Sequence, residues 1–573
     1  LKTFVAACTF SFFPGNQFDL NLAIKALLVK KILLSIAVSL LFLNAIAQSS
    51  KPGQSRFSHA DTLRGSVTPE RAWWDVTHYD LHVAFDFAQK SIHGYNTIDF
   101  KILSTSANKM QIDLQSGLNI DSVITGREKL KYSRSGNVYY INWPHQNKQS
   151  NGKLTIHYSG VPREAKRPPW DGGVIWKTDH SGNPWVTVTC QGWGASVWFP
   201  CKDYQGDEAD SASLTISVPD TLKAIANGRL RNKLDEGNGT VAYTWAVVNP
   251  INTYNLIPYI GKYMNWQEIY EGEKGKLDCS FYALEEDSSK ARIQFRQVMP
   301  MLKCFEYWFG PYPFYEDGYK LIEAPHLGME HQSAIAYGNR FQNGYHGDDL
   351  SSTGWGLKWD FIIVHESGHE WFGNNITTND IADMWVHESF TNYSETLFTQ
   401  CQFGKEAGED YVIGTRKKIE NQFPIVGKYG VNNEGPIDMY YKGGNMLHTI
   451  RQVINDDEKF KQILRGLNSH FYHKIVNGKD VEQYISSQSG IDFSKIFDQY
   501  LRNTRIPVFE FKADKDGFQY RYTDVVKDFK LPLKIYTDKE EWIKPTESWQ
   551  QLRSTSKQLT VDRNFYVETK EIQ

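Results

Sequence analysis

Residues 364–395 read VHESGHEWFGNNITTNDIADMWVHESFTNYSE. His365 and His369 stand four apart with Glu366 between them, in a run whose Val364, Trp371 and Phe372 have the apolar character of a packed helix. On a helix, positions i and i+4 project from one face, so both imidazoles can reach a common point. Glu366 is displaced by about 100° of helix rotation, which lets it reach a water at that point without filling a ligand position. The bland reading of the same residues is a buried amphipathic helix with two satisfied core histidines. Gly373-Asn374 ends this helix, a polar loop follows, and a second helical segment delivers Glu388 after eighteen intervening residues. Two neutral imidazoles and one carboxylate make a zinc set whose fourth position stays open, the mark of a catalytic rather than a structural site. Asp383, in DMWVHE, is a candidate acceptor for the far ring nitrogen of a ligating histidine.

The surrounding 573 residues, 40% of them hydrophobic and 14% aromatic, hold enough apolar material for several cores. Lys30-Lys31, the apolar run Ile32–Leu43 and Ala45-Ile46-Ala47 have the layout of a secretory leader cleaved after Ala47. That run is too short to span a bilayer, which takes roughly 20 residues. The expectation is therefore an exported protein, periplasmic or secreted, with no transmembrane anchor after cleavage. Residues 1–28 read as sequence translated upstream of a true start near Val29. Losing residues 1–47 removes four lysines and Asp19, so the formal charge falls from −3 to −6. No basic face for nucleic acid is implied. Five cysteines remain, Cys190, Cys201, Cys279, Cys304 and Cys401, an odd count that makes no disulfide framework; Cys190 and Cys201 either pair or stay as buried thiols.

Residues 48–70, rich in serine and polar groups, are expected as a flexible tail. From Tyr79 the apolar residues Tyr79, Leu81, Val83, Phe85 and Phe87 alternate with less apolar ones, the period of a half-buried strand, and Ile98-Phe100-Ile102 and Leu214-Ile216-Val218 repeat it. An N-terminal β domain over 71–257 follows. Beyond Pro258 the period shifts toward helix, with Leu447, Ile450 and Ile454 on one face and Asp480 with Gln483 as a helix-start signal. This mostly helical domain covers 258–505. After RIPVFEF, alternation returns at Phe518, Tyr520, Tyr522 and then Leu531, Leu533, Ile535, so 506–573 reads as a small β domain.

HExxH, eighteen residues and then E in a W-x-x-E-x-F setting resembles the aminopeptidase N family of gluzincin zinc metallopeptidases. The resemblance implies that His365, His369 and Glu388 hold one zinc per chain and that Glu366 is the general base. HLGMEHQ, at 326–332, is similar to that family's G-x-M-E-N signature, with Leu327 in place of the first glycine and His331 in place of the asparagine. It implies that Glu330 holds a substrate's free amino terminus, with Gly328 and Met329 beside it. MYYKGG, at 439–444, matches Y-x-K-G and makes Tyr440 the donor to the tetrahedral intermediate, with Tyr441 the less favoured choice. CQGWGASVWFPCKD, at 190–203, resembles the stretch that lends a glutamine to the substrate cleft, here Gln191, although tryptophan replaces an arginine usual near FPC.

Across the mature chain the resemblance implies a multidomain α+β protein: a β-sheet saddle, a thermolysin-like mostly helical catalytic domain and a small C-terminal β-sandwich. It resembles a short form that lacks the family's C-terminal helical domain, with a cleft that is open or roofed by a second subunit. The implied activity is zinc-dependent hydrolysis of the first peptide bond of peptides with a free N-terminus. The altered signature at 327–331 keeps an endopeptidase on the same scaffold as the nearest alternative. A non-catalytic peptide-binding protein is the rival from another class, disfavoured by a complete set of ligands, base and tyrosine. Epoxide hydrolysis, a side activity in the family, is favoured by nothing in this sequence.

Overall fold

Alternation at Tyr79, Leu81, Val83 and Phe85 produces the strand Trp74–Asp86, in which those four residues are buried and their neighbours are partly exposed. Side chains of a strand point to opposite faces in turn, so this pattern seats one face on a core. In the computed structural model, which describes residues 57–104, 108–144 and 150–573, that strand pairs antiparallel with Ser91–Ile102 and parallel with Ser211–Pro219, the two other alternating stretches. They form the middle of an eight-stranded sheet. A four-stranded sheet, ordered Lys223–Ile225, Tyr259–Gly261, Pro184–Thr189, Gly173–Thr178, shares its core.

The leader expected at 1–47 and the first part of the expected tail lie outside the described residues. The rest of that tail needs correcting. His59–Gly65 (α1) and Pro69–Ala72 (α2) are helical, and Arg71, fully buried on α2, donates to the carbonyls of Leu63, Arg64 and Ser66 and to Asp113 Oδ2. Polar composition pointed to a tail, but here the polar groups find partners in the β-rich part instead of water.

The shift to helix also comes later than the periodicity indicates. Tyr259–Gly261 still belongs to the four-stranded sheet, and a hairpin of Tyr263–Gly272 and Gly275–Leu284 precedes the first helix, Ser288–Gln294. Tyr263–Gly272 is largely solvent-facing, so its sequence carries little apolar alternation. The hairpin opens a five-stranded sheet completed by Tyr319–Glu323, Ile335–Tyr337 and, at its edge, Gly328–Met329. Every residue of Tyr319–Glu323 is buried: Tyr319 and Leu321 face the helical core, and Ile322 faces the β core. A strand covered on both faces reads as continuous rather than alternating.

Against this sheet pack Val298–Phe309 (α3) and Phe361–Gly368 (α4), and Trp385–Phe403 (α5) and Asp438–Ile454 (α6) complete the same core from the helical side. Gly478–Ser489 (α7) starts earlier than expected: Asn477 is its cap, and Asp480 is the third helical residue, closing a reciprocal capping box with Asn477. Residues 506–573 form a four-stranded and a three-stranded sheet. A disulfide joins Cys304 of α3 to Cys401 of α5, while Cys190 and Cys201 are buried free thiols, so the pairing considered for them does not occur. Among the described residues no helix is long and apolar enough to cross a membrane.

Candidate active site

Asp360 caps α4, its carboxylate accepting from the backbone N–H of Ile362 and Ile363. The helix is short: Phe372 (φ −126°, ψ 98°) and Gly373 (φ 129°) leave helical geometry just past His369. That break turns the Phe372 carbonyl back onto His369 Nδ1, 3.0 Å away. His365 Nδ1 lies 2.7 Å from Glu395 Oε1. A carbonyl only accepts, so His369 carries its proton on Nδ1. The Glu395 carboxylate orients His365 in the same way, leaving both Nε2 atoms as acceptors that face the cleft.

Glu388, in the first turn of α5, meets them. Its Oε2 lies 3.6 Å from His365 Nε2 and 3.4 Å from His369 Nε2, is buried, and has no hydrogen-bond partner among the described residues. Three ligand atoms within 4.8 Å of one another, one of them a carboxylate oxygen without a partner among the described residues, form a hole for positive charge. The titration of these groups expresses the same preference. Burial disfavours charge on His365 and His369, but the neighbouring carboxylates outweigh it and raise both. Burial likewise pushes the Glu388 carboxyl up, and the two histidines hold it below the usual range instead. A buried, orphaned carboxylate oxygen facing two imidazole lone pairs fits a divalent cation with N/O preference.

Asp383 is not the histidines' partner. It accepts from Tyr429 Oη (2.7 Å) and from the backbone N–H of Gly478 (2.9 Å), fastening the loop before α5 to the start of α7. The residue missed is Glu395, seven positions after Glu388 on the same helix and therefore on nearly the same face. It is fully buried and also accepts from Tyr411 Oη at 2.6 Å.

Glu366 and Glu330 stand with His369 in a second group whose polar atoms lie within 4.8 Å of one another. Burial, reinforced by Glu330 and Glu388 and opposed by the histidines, pushes the Glu366 carboxyl up to about 7. Gly328 permits this closeness: a Cβ there would sit 2.7 Å from Glu366 Oε1. Glu330, 3% exposed, accepts from Gln191 Nε2 (2.5 Å) and Tyr254 Oη (3.1 Å), both at Oε1. Burial is the main cause of its raised pKa. Met329 packs into the β core. His331 turns away to Tyr259, its Nδ1 2.5 Å from that hydroxyl, and Leu327 joins the helical core.

The Tyr440 ring stacks on His365 with centroids 5.9 Å apart. Its hydroxyl makes no hydrogen bond to protein among the described residues, and its pKa is raised first by burial and then by Glu388, Glu434, Glu330 and Glu366. The Tyr441 hydroxyl is raised first by burial and then by Glu395 and Tyr345, not by the carboxylates that face Tyr440. The glycines that follow matter here, since a Cβ on Gly443 would meet Ser389 Oγ at 1.9 Å, and α6 lies against α5 only without one. Glu434 is a second residue missed. Although the residue as a whole is exposed, its carboxyl is raised by desolvation and then by the charges of Glu388 and Glu330.

A β-rich part and a helical part thus enclose a two-helix centre of the HExxH-x18-E class. Residues 294–500 match the Peptidase family M1 domain, and residues 76–255 match the Peptidase M1 N-terminal domain. This chain belongs to peptidase family M1. Among curated relatives, Probable aminopeptidase 2 of Sulfurisphaera tokodaii is 24% identical over 451 residues, covering 76% of this chain and 54% of the relative. Leucyl aminopeptidase of Saccharolobus solfataricus is 22% identical over 455 residues, covering 76% and 54%. The chain therefore spans about half the length of these relatives. A solved M1 zinc metallopeptidase mutant from Deinococcus radiodurans, bound to Tyr-Ser-Ala substrate, shares the fold with TM-score 0.62 at 20% identity, over 77% of this chain and 97% of that one.

Proposed function

We propose that this protein is a zinc-dependent aminopeptidase that removes the first residue of peptides with a free amino terminus. The observation that carries the reading is the pairing of two sites: three convergent acceptors of His365, His369 and Glu388, and, within one group with His369 and Glu366, the buried Glu330 carboxylate. His365, His369 and Glu388 would hold one zinc per chain. When bound there, zinc supplies Lewis acidity toward a water and toward the scissile carbonyl. Glu366, grouped with His369 and Glu330 but outside the ligand set, is placed to take the water's proton and to return it to the leaving amine. Tyr440, with its hydroxyl unengaged by protein, donates to the oxyanion of the tetrahedral intermediate. Both protein donors to Glu330 use Oε1, which leaves Oε2 for the substrate's α-ammonium. The aminopeptidase names of the relatives support the same substrate class.

We further propose that the protein is exported, on the strength of the leader pattern and of the Cys304–Cys401 disulfide, a bond that persists in oxidising compartments. The test of function is metal analysis of the purified protein together with an aminoacyl reporter assay before and after chelation. One zinc per chain, activity lost with the metal and regained with it, is the expected result. A metal-free, fully active protein would discard the site.

A further inference from the structure

The α1 segment precedes residue 76, where the match to the family's N-terminal domain begins, yet it reaches two loops that border the cleft. Arg64 Nε donates to the Gly192 carbonyl at 3.1 Å, and Arg64 Nη1 pairs with Asp203 Oδ2 at 2.8 Å. Gly192 directly follows Gln191, the residue bonded to Glu330. Asp203 also accepts from Ser196 Oγ at 2.5 Å, so one guanidinium ties both ends of the 190–203 turn together. A bidentate arginine fixes orientation as well as distance. From the other side Asn432 Nδ2 donates to the same Gly192 carbonyl at 2.9 Å, and its backbone N–H reaches the Asp61 carbonyl of α1 at 3.3 Å. The contact is tight: a Cβ on Gly65 would lie 2.2 Å from the backbone of Val431. Glu434 and, further on, Tyr440 follow in the chain. The segment is itself anchored by buried Arg71, which takes its last carbonyls and salt-bridges Asp113 at 2.6 Å.

We propose that α1 is a strap that sets the amino-terminus pocket, and that Arg64 is a positioning residue acting through the Gln191–Gly192 turn on Glu330. Arg64 touches no reacting atom. Its loss frees the turn, so that Gln191 no longer fixes the Glu330 carboxylate where an ammonium meets it, while the centre on α4 and α5 stays intact. A defect of that kind weakens ground-state and transition-state binding alike, and so appears in KM rather than kcat.

The inference rests on the proposed aminopeptidase reading, and wild-type protein that is inactive on free-amine reporters would defeat that reading first. With active wild type, Arg64→Ala is expected to raise KM for an alanyl or leucyl reporter at least fivefold, with kcat within twofold. Arg64→Lys, which keeps the charge toward Asp203 but cannot bridge to Gly192, should fall between. Adding Arg64→Ala to Gln191→Ala should raise KM by less than twofold further, because both act on one carboxylate. Unchanged KM, a kcat loss that tracks a lower melting temperature, or independent effects in the double variant would overturn the proposal. If Arg64→Ala does not fold, Arg64→Lys decides alone: raised KM at constant kcat supports it, and unchanged KM overturns it.

Discussion

The proposed metal-ligand centre and the proposed amino-terminus anchor meet at His369, Glu366 and Glu330, yet they are built in opposite ways. The first lies between His365 and Glu395, on two helices separated only by the short strand Ile376–Thr378 and its turns. The second gathers Gln191, Tyr254 and Glu330 from segments up to 139 residues apart, and Arg64, from before the first strand, bonds the Gly192 carbonyl beside Gln191. Helix-borne geometry follows from local periodicity and changes little unless the helix itself is lost. An anchor assembled from distant loops depends on packing at several places. Damage to the first should abolish turnover on every substrate, and damage to the second should show as lost preference for free amines.

The largest expected effect tests the first half. Glu366→Gln should keep zinc and lose about 10²–10⁴-fold in kcat, the usual contribution of a positioned base, read by metal analysis beside steady-state kinetics. Substantial surviving turnover would remove Glu366 from that role. Next comes the anchor. Glu330→Ala should cost roughly 2–5 kcal/mol in kcat/KM on free-amine peptides, as for one partner of a buried charge pair, while any residual internal cleavage, read on an N-acetylated peptide, stays unchanged. Equal losses on both would erase the distinction between the two regions. Smaller again, Glu395→Gln should weaken zinc affinity about 10–100-fold, as expected for a group that orients a ligating histidine, measured by competition with a chromophoric chelator. Unchanged affinity would mean that His365 needs no such partner.

The last prediction concerns the seam between the β-rich and helical parts. Glu208 accepts from Thr377 Oγ1 at 2.6 Å, and burial pushes its pKa up to about 7. A carboxyl raised in the folded state contributes most below its unfolded pKa, and that contribution is lost as pH rises through about 7. Glu208→Gln does not titrate. Its stability relative to wild type should therefore increase between pH 5 and pH 8, by on the order of 1–3 kcal/mol, followed by thermal unfolding. A pH-independent difference would contradict the raised pKa.

Legibility in the sequence followed the same division. His365, Glu366, His369 and Glu388 could be read directly because helix spacing and ligand chemistry depend on nearby residues. Glu395 is within reach of the same logic, two turns beyond Glu388 on one helix, whereas Asp383 lies before that helix and bonds Tyr429 and Gly478 instead. Gln191, Glu330 and Tyr440 came from resemblance rather than from periodicity, since nothing local distinguishes a cleft glutamine from a surface one. Tyr254 and Arg64 carry no local signal, because their contacts with Glu330 and with the Gln191–Gly192 turn form only once distant loops meet. The β-rich start was visible in its alternation. The solvent-facing strand Tyr263–Gly272 and the doubly buried strand Tyr319–Glu323 are not, because the first buries almost none of its residues and the second buries all of them, so neither alternates. The polar segment 59–70 looked like a tail because composition records solubility and not the buried arginine that ties it down.

The most direct test of the account is the cleavage of one short peptide in two forms, free and N-acetylated, by zinc-loaded enzyme, with products identified by mass. The account predicts stepwise loss of the first residue from the free peptide and an intact acetylated one. Cleavage of both at the same internal bond would contradict it and leave an endopeptidase built on the same centre.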